Sequence, residues 1–329
     1  MMGRFFGAIS AALVTASIFS TSAFANQWVA KEVVPAGTIQ SAADMPMFQR
    51  CGKELCQAGF PYRIRSFVFP KGAKPAGDAV RAPKGAKSQI RSTWYEDPTR
   101  RYAHAILGDD IEAGTIAART KSGAVVRFVL PQSDVFEDQT PRLADINGDG
   151  ELDIVTIQSN NRKGASIAVY GINGKTLTLI AQSPYIGRAN RWMNVAGIAD
   201  FTGGGKVQIA AVTTPHIGGT LNIWEQRGSR LVAVASQYGF SNHAIGSRVQ
   251  KLSAVADFNG DGVKDLALPA NDHSQFHLIS FVRGKFKKLA KFQFKRRIDR
   301  PVTIWQWGPR SVIGIGLSDG SVRAIYRSK

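Results

Sequence analysis

The chain has 329 residues, 44% of them hydrophobic, and a formal net charge of +18. That length can bury a large core, and many short apolar runs cut by Gly and Asn point to an all-β protein rather than two packed α/β domains. The positive charge bears on partners and solubility and leaves the fold open.

Arg4 is the only charge ahead of an apolar stretch from Phe5 to Ser20, and Ala23-Phe24-Ala25 is a small-x-small site. These features predict a signal peptide over residues 1–25, cut after Ala25, and a periplasmic or secreted mature protein. The apolar run is short for a membrane span, and no other stretch is long and apolar enough to make one, so no transmembrane segment is expected after cleavage. In an oxidising compartment the only two cysteines, Cys51 and Cys56, are expected to form a disulfide across a small loop.

Residues 26–88 are read as an N-terminal segment. Residues 29–34 suit an edge strand. The stretch from Tyr62 to Phe69 alternates apolar and basic residues, as a half-buried strand does. Lys71 to Lys87, rich in Pro, Gly, Ala and Lys, is expected to be a mobile basic linker.

Residues 89–329 carry a regular series of short strands. The first four are expected over 90–95, 103–107, 114–119 and 124–130. The next unit covers 142–146, 153–157, 166–170 and 177–181, with Asn173-Gly174 as a hairpin turn. A third covers 195–201, 207–212, 220–224 and 231–235. A fourth covers 252–258, 265–268, 276–282 and 286–294. The last has three strands, over 302–307, 311–317 and 322–326. Its fourth would come from residues 62–69 or from 29–34, which would remove an exposed sheet edge. Four short strands per unit predict a β-propeller of about five blades, within a range of about five to seven.

Three of these units share a loop. Asp145-Ile-Asn147-Gly-Asp149-Gly150-Glu151-Leu-Asp153 recurs as Asp257-Phe-Asn259-Gly-Asp261-Gly262-Val263-Lys-Asp265. A worn copy, Asp200-Phe-Thr202-Gly-Gly204-Gly205-Lys-Val-Gln208, lies between them. The lead aspartates are spaced by about 55 residues, the mark of a repeat architecture. Oxygen-bearing side chains at alternate positions, with a glycine that permits a sharp turn, wrap a loop around a hard cation. An EF-hand is excluded, because the twelfth residues are Thr156 and Leu268 rather than Glu and the flanks are β-like.

The two complete copies resemble the FG-GAP/VCBS repeat family, which the head propellers of integrin α chains share. The resemblance covers roughly residues 140 to 300. It implies a β-propeller with Ca2+ held between the first two strands of a blade. The implied ligands are the side chains of Asp145, Asn147, Asp149 and Asp153 with the carbonyl of Glu151. In the second site they are Asp257, Asn259, Asp261 and Asp265 with the carbonyl of Val263. The copy at Asp200 lacks the third side chain and the last carboxylate, and is expected to be free of metal.

In such a disc the calcium loops fall on one end and the loops linking blades on the other. Tyr185, Arg188, Asn190, Arg191 and Trp192 lie in one linking loop, and Tyr238, Asn242, His243 and Arg248 in the next. Aromatic rings beside Arg and Asn suit sugars, phosphates or a partner protein, although the rings also suit gaps between blades. Basic residues concentrate at Lys71–Lys87 and at Arg283–Arg300, either as a solvated edge or as a docking surface for an anionic cell-envelope polymer. Export and the absence of a recognised motif argue against nucleic acid. A monomer is expected.

Gly316-Leu-Ser318-Asp-Gly320 matches a nucleophile elbow, but a strand follows it, so a hairpin turn is the better reading. The reading reached is a non-catalytic, calcium-stabilised binding module for an envelope polymer or protein. The alternative is a glycosidase or polysaccharide lyase at the channel mouth, with Glu96, Asp97, Asp109, Asp110 and His243 converging on one pocket.

Overall fold

The computed structural model describes residues 27–32, 48–51, 54–57, 67–307 and 310–328. The expected signal peptide and most of the expected strand at 62–69 lie outside these residues, as do the side chains of Cys51 and Cys56. Among the described residues the chain is all-β and contains no helix, so no helix is long and apolar enough to cross a membrane.

The strands in chain order are β1 (Trp28–Glu32), β2 (Phe48–Cys51), β3 (Glu54–Gln57), β4 (Val80–Arg81), β5 (Ile90–Thr99), β6 (Glu112–Thr120), β7 (Val125–Val129) and β8 (Asp134–Phe136). There follow β9 (Arg142–Ala144), β10 (Asp153–Asn160), β11 (Gly164–Asn173), β12 (Thr176–Gln182), β13 (Met193–Ala199), β14 (Gln208–Thr213), β15 (Thr220–Arg227) and β16 (Arg230–Tyr238). The last are β17 (Ala254–Ala256), β18 (Asp265–Pro269), β19 (Gln275–Val282), β20 (Lys285–Gln293), β21 (Thr303–Trp307), β22 (Arg310–Gly316) and β23 (Val322–Arg327).

The order β17-β18-β19-β20 is one antiparallel sheet, and β1-β23-β22-β21 is another. The missing strand of the last unit is therefore β1, with Val29 opposite Tyr326. The remaining units are not separate four-stranded sheets. β8 pairs with both β6 and β10, and β12 meets β16 through Gln182 and Arg230, so thirteen strands join in one sheet. The side chain of Asp134 fixes that junction, accepting from Gln158 Nε2 at 2.7 Å, Asn160 Nδ2 at 2.7 Å and the Tyr185 hydroxyl at 2.8 Å.

Apolar side chains point alternately from each strand, so facing sheets share a core. Tyr95, Phe136 and Tyr170 pack together at one such boundary, and Ile157, Trp192 and Ile209 at the next. Phe201, Ile223, Leu266 and Phe281 fill the third, and Phe276, Ile313 and Ile325 the fourth.

Two expectations fail. Residues 103–107 are not a strand. Ile106 and Leu107 are buried in the core that also holds Trp192, so burial of an irregular loop produced the apolar pattern. The basic stretch at 71–87 is laid along β5 rather than hanging free. Ala76 and Ala82 donate to the Tyr95 and Arg91 carbonyls, and Asp97 donates to that of Lys74.

Candidate functional site

Each calcium-type loop is first an Asx-turn ladder. Asp145 accepts the Gly148 and Gly150 N–H groups at 2.7 and 2.9 Å, and Asp149 accepts that of Glu151 at 2.8 Å. Asp257 and Asp261 repeat the pattern toward Gly260, Gly262 and Val263. The chain curls this tightly because Gly148 and Gly150 adopt φ of 80° and 86°, and Gly260 and Gly262 adopt 81° and 87°. Asp153 and Asp265 then close the loops by accepting the Ile146 and Phe258 N–H groups at 3.0 and 2.8 Å.

The donor set is all oxygen, as a hard cation requires. Asp265 is fully buried and its Oδ1 has no hydrogen-bond partner. Burial, with Asp149 and Asp145 nearby, pushes the Asp153 carboxyl up to about 7. A cavity of about 70 Å³ opens beneath the first loop, lined by Asn147, Asp149, Glu151 and Asp153 among others. These are the marks of carboxylates short of a positive partner. Among the described residues no three His, Cys, Asp or Glu groups already converge as a metal cage, so an ion would have to draw the loop oxygens inward. The Glu151 side chain points elsewhere and accepts the Gln89 N–H at 2.5 Å.

The worn loop closes through an amide instead of a carboxylate. Gln208 Oε1 accepts the Phe201 N–H at 2.9 Å, and its Nε2 reaches Thr202 Oγ1 at 3.3 Å.

The expected ligand residues do not form one surface. Trp192 is buried. It donates from Nε1 to the Glu137 carbonyl at 2.9 Å and meets the rings of His216 and His243. His243 and Asn242 are fully buried; Asn242 Nδ2 donates to the Asn194 carbonyl at 3.3 Å. Tyr185 is bound to Asp134, with Lys163 Nζ 5.7 Å over its ring. Arg188, Asn190 and Tyr238 are exposed and Arg191 half-buried. Arg248 pairs with Asp109.

The acids offered for an enzyme do not converge either. Glu96 is held by Arg127 Nε at 2.7 Å and Trp94 Nε1 at 2.7 Å, and Asp97 accepts from Thr115 at 2.6 Å. Asp110 pairs with Arg100. The Ser318 segment is the hairpin expected, with the Gly320 N–H donating to the Leu317 carbonyl at 2.9 Å.

A different acidic group is assembled from distant residues. Glu137 is fully buried, contacts His104 Nδ1 at 2.5 Å and accepts from the Ser159 hydroxyl. Asp138 pairs with Arg142 beneath it. Glu112 is buried with Oε1 unpartnered, and burial together with Glu137, Asp109 and Asp138 pushes its carboxyl up to about 10. No local motif announces these residues, which come from three segments: His104, Glu112, and the pair Glu137-Asp138 just after β8.

Beside this group lies a cavity of about 810 Å³. Its walls come from β9, from β13, from residues 246–253 ahead of β17 and from Pro301 ahead of β21.

No family model matches the chain, and no curated protein matches it. Among solved structures it is similar to the rhamnogalacturonan lyase YesW, at 14% identity and a TM-score of 0.39, covering 71% of this chain and 50% of that one. It is also similar to BBS1N in the complex of BBS1N with ARL6DN, at 10% identity and a TM-score of 0.46, covering 80% of this chain and 69% of that one. The chain thus spans half the length of the lyase structure.

Proposed function

We propose that the chain is an exported β-propeller of about five blades, held rigid by Ca2+ in two loops, that binds an anionic cell-envelope polymer without catalysis. The propeller reading is supported by serial antiparallel meanders with an apolar core at each boundary, and by a cavity lined from the first strands of successive units. The calcium reading is supported by the orphan oxygen of Asp265, the raised Asp153 and the self-satisfied amide of Gln208.

The observation that carries the binding reading is β20. It is the outermost strand of its sheet, and Lys285, Lys287, Lys288 and Lys291 along it are exposed. None of them forms an ion pair with a described residue. Alternate residues of a strand share a face about 7 Å apart, so Lys285 and Lys287 stand on one face. Past the register shift at Leu278 and Ile279, Lys288 and Lys291 stand on the other, and the strand edge presents charge on both sides to a polyanion laid along it. The lyase or glycosidase alternative needs two acids facing one open space. Glu96, Asp97, Asp109 and Asp110 are paired separately, and Glu112, Glu137 and Asp138, which do gather, are buried and do not line the cavity, which favours binding instead.

The test is binding of the mature protein to lipopolysaccharide and to dextran sulfate, with neutral dextran as control, across salt concentrations. Both anions should bind with affinity falling as salt rises, and K285E/K287E/K291E should weaken binding by at least about tenfold. Equal affinity of the triple variant, or release of unsaturated sugar products, would reject the reading.

A further inference from the structure

We infer that the 810 Å³ cavity is a second, separate site that takes a compact organic anion with an apolar body. Its volume falls within the usual range for small-molecule sites, about 300–1,000 Å³. Most of its wall is hydrocarbon from Leu143, Val195, Ile198 and Val249.

The polar groups on that wall are unevenly matched. Arg142 is committed to Asp138 and Arg248 to Asp109. Lys251, also on the wall, has no ion-pair partner among the described residues. Asp78 is the one carboxylate lining the cavity; its backbone is tied to the Gln139 carbonyl. Next to Lys251 stands Gln250, 8% exposed. Its Oε1 accepts the Gln139 N–H at 3.2 Å, while its Nε2 has no partner.

A buried amide donor left without an acceptor disfavours the empty site. A ligand oxyanion set against Lys251 would satisfy that donor and the ammonium together, with the apolar body left on the hydrocarbon wall. A neutral ligand would satisfy only the wall, and a bare inorganic anion only the head. The site therefore selects for both in one molecule. It shares no residue with β20, and does not rest on polymer binding there.

The test is calorimetric titration of the full mature chain with decanoate, with 1-decanol and inorganic phosphate as partial mimics. Decanoate should bind at one site per chain, with 1-decanol and phosphate at least about tenfold weaker. Lys251→Gln should weaken decanoate by about tenfold and leave 1-decanol unchanged. Thr140→Trp, which places an indole in the cavity, should abolish decanoate binding, and Ser253→Trp serves if that variant does not fold. Absence of saturable decanoate binding, equal binding of decanoate and 1-decanol, or full binding by Lys251→Gln would overturn the assignment.

Discussion

Gln208 and Asp265 close equivalent loops with the same hydrogen bond and a different charge. Gln208 Oε1 takes the Phe201 N–H at 2.9 Å, and Asp265 Oδ2 takes the Phe258 N–H at 2.8 Å. The second atom of each group differs in its fate: Gln208 Nε2 finds Thr202 Oγ1, and Asp265 Oδ1 has only the Ser280 hydroxyl near it. One loop closes with both atoms of its terminal amide bonded, and the other closes on a buried carboxylate.

Asp265→Gln should therefore act in opposite directions with and without calcium. In EGTA it removes an uncompensated buried charge and should leave Tm unchanged or raise it by a few degrees. In excess calcium it should lower Tm relative to the parent, because the parent alone gains the ion. Scanning calorimetry in both buffers measures this. A fall of similar size in both would mean that Asp265 serves only as a loop cap.

Removing metal from the parent should destabilise it by mass action. An ion present at about 100 times its Kd stabilises by about 2.7 kcal/mol per site. EGTA should thus lower Tm by several degrees, and Asp149→Ala with Asp261→Ala should reproduce the drop and abolish sensitivity to EGTA. Identical Tm values with calcium and EGTA for the parent would remove the metal from this protein.

The loops were the most legible part of the sequence, because their chemistry is local. Spacing of Asp, Asn and Gly within nine residues dictates the turn, and Asp153 or Asp265 at its end dictates the strand that follows. The Ser318-Asp319-Gly320 hairpin was legible for the same reason. Trp192 reads from the sequence either as a ligand-facing ring, because Asn190 and Arg191 precede it, or as a plug in the interior; it is buried, with its indole N–H taken by the Glu137 carbonyl 55 residues away. Glu112, Glu137, Asp138 and His104 were illegible as a group: they come from three separate segments with no motif spacing between them, and topology alone brings them together. Strand β8 was missed because its three residues are too short for any periodicity to register.

Gly219 gives a backbone test of the link between neighbouring units. It has φ of 55°, and a Cβ there would lie 1.6 Å from the Phe240 carbonyl oxygen. Its own carbonyl accepts the Gly239 and Phe240 N–H groups at 2.8 and 3.2 Å. Gly219→Ala must push that connection apart and should cost more than about 3 kcal/mol, through strain and lost hydrogen bonds together. Gly228, also at positive φ but with open space at the Cβ position, should tolerate Ala at about 1 kcal/mol. Denaturant midpoints for the two variants decide this, and equal costs would refute the close approach.

Stability should peak in mildly acid solution. His243 and His216 are held neutral by burial, with their values pushed down to about 3 and about 4 from 6.5. His243 Nε2 faces the Ser247 carbonyl at 2.8 Å and its Nδ1 faces His216 Nε2 at 2.8 Å, an arrangement suited to one proton per ring. The unfolded chain takes up protons on these rings below about 6.5, so their stabilisation, complete above that pH, declines as pH falls toward about 3. Glu112 works from the other side. Its carboxyl is held protonated by burial up to about 10, against 4.5 ordinarily, so its stabilisation is complete below about 4.5 and is lost as pH rises toward about 10. Between those limits Tm, measured in excess calcium so that the loop carboxylates stay ionised, should pass through a maximum at about pH 6.5, where the protons the two rings take up on unfolding equal the one Glu112 gives up. Glu112→Gln should flatten the alkaline limb alone, and His243→Gln the acid limb above about pH 4 alone. An alkaline limb that Glu112→Gln leaves untouched would place its cause outside this buried group.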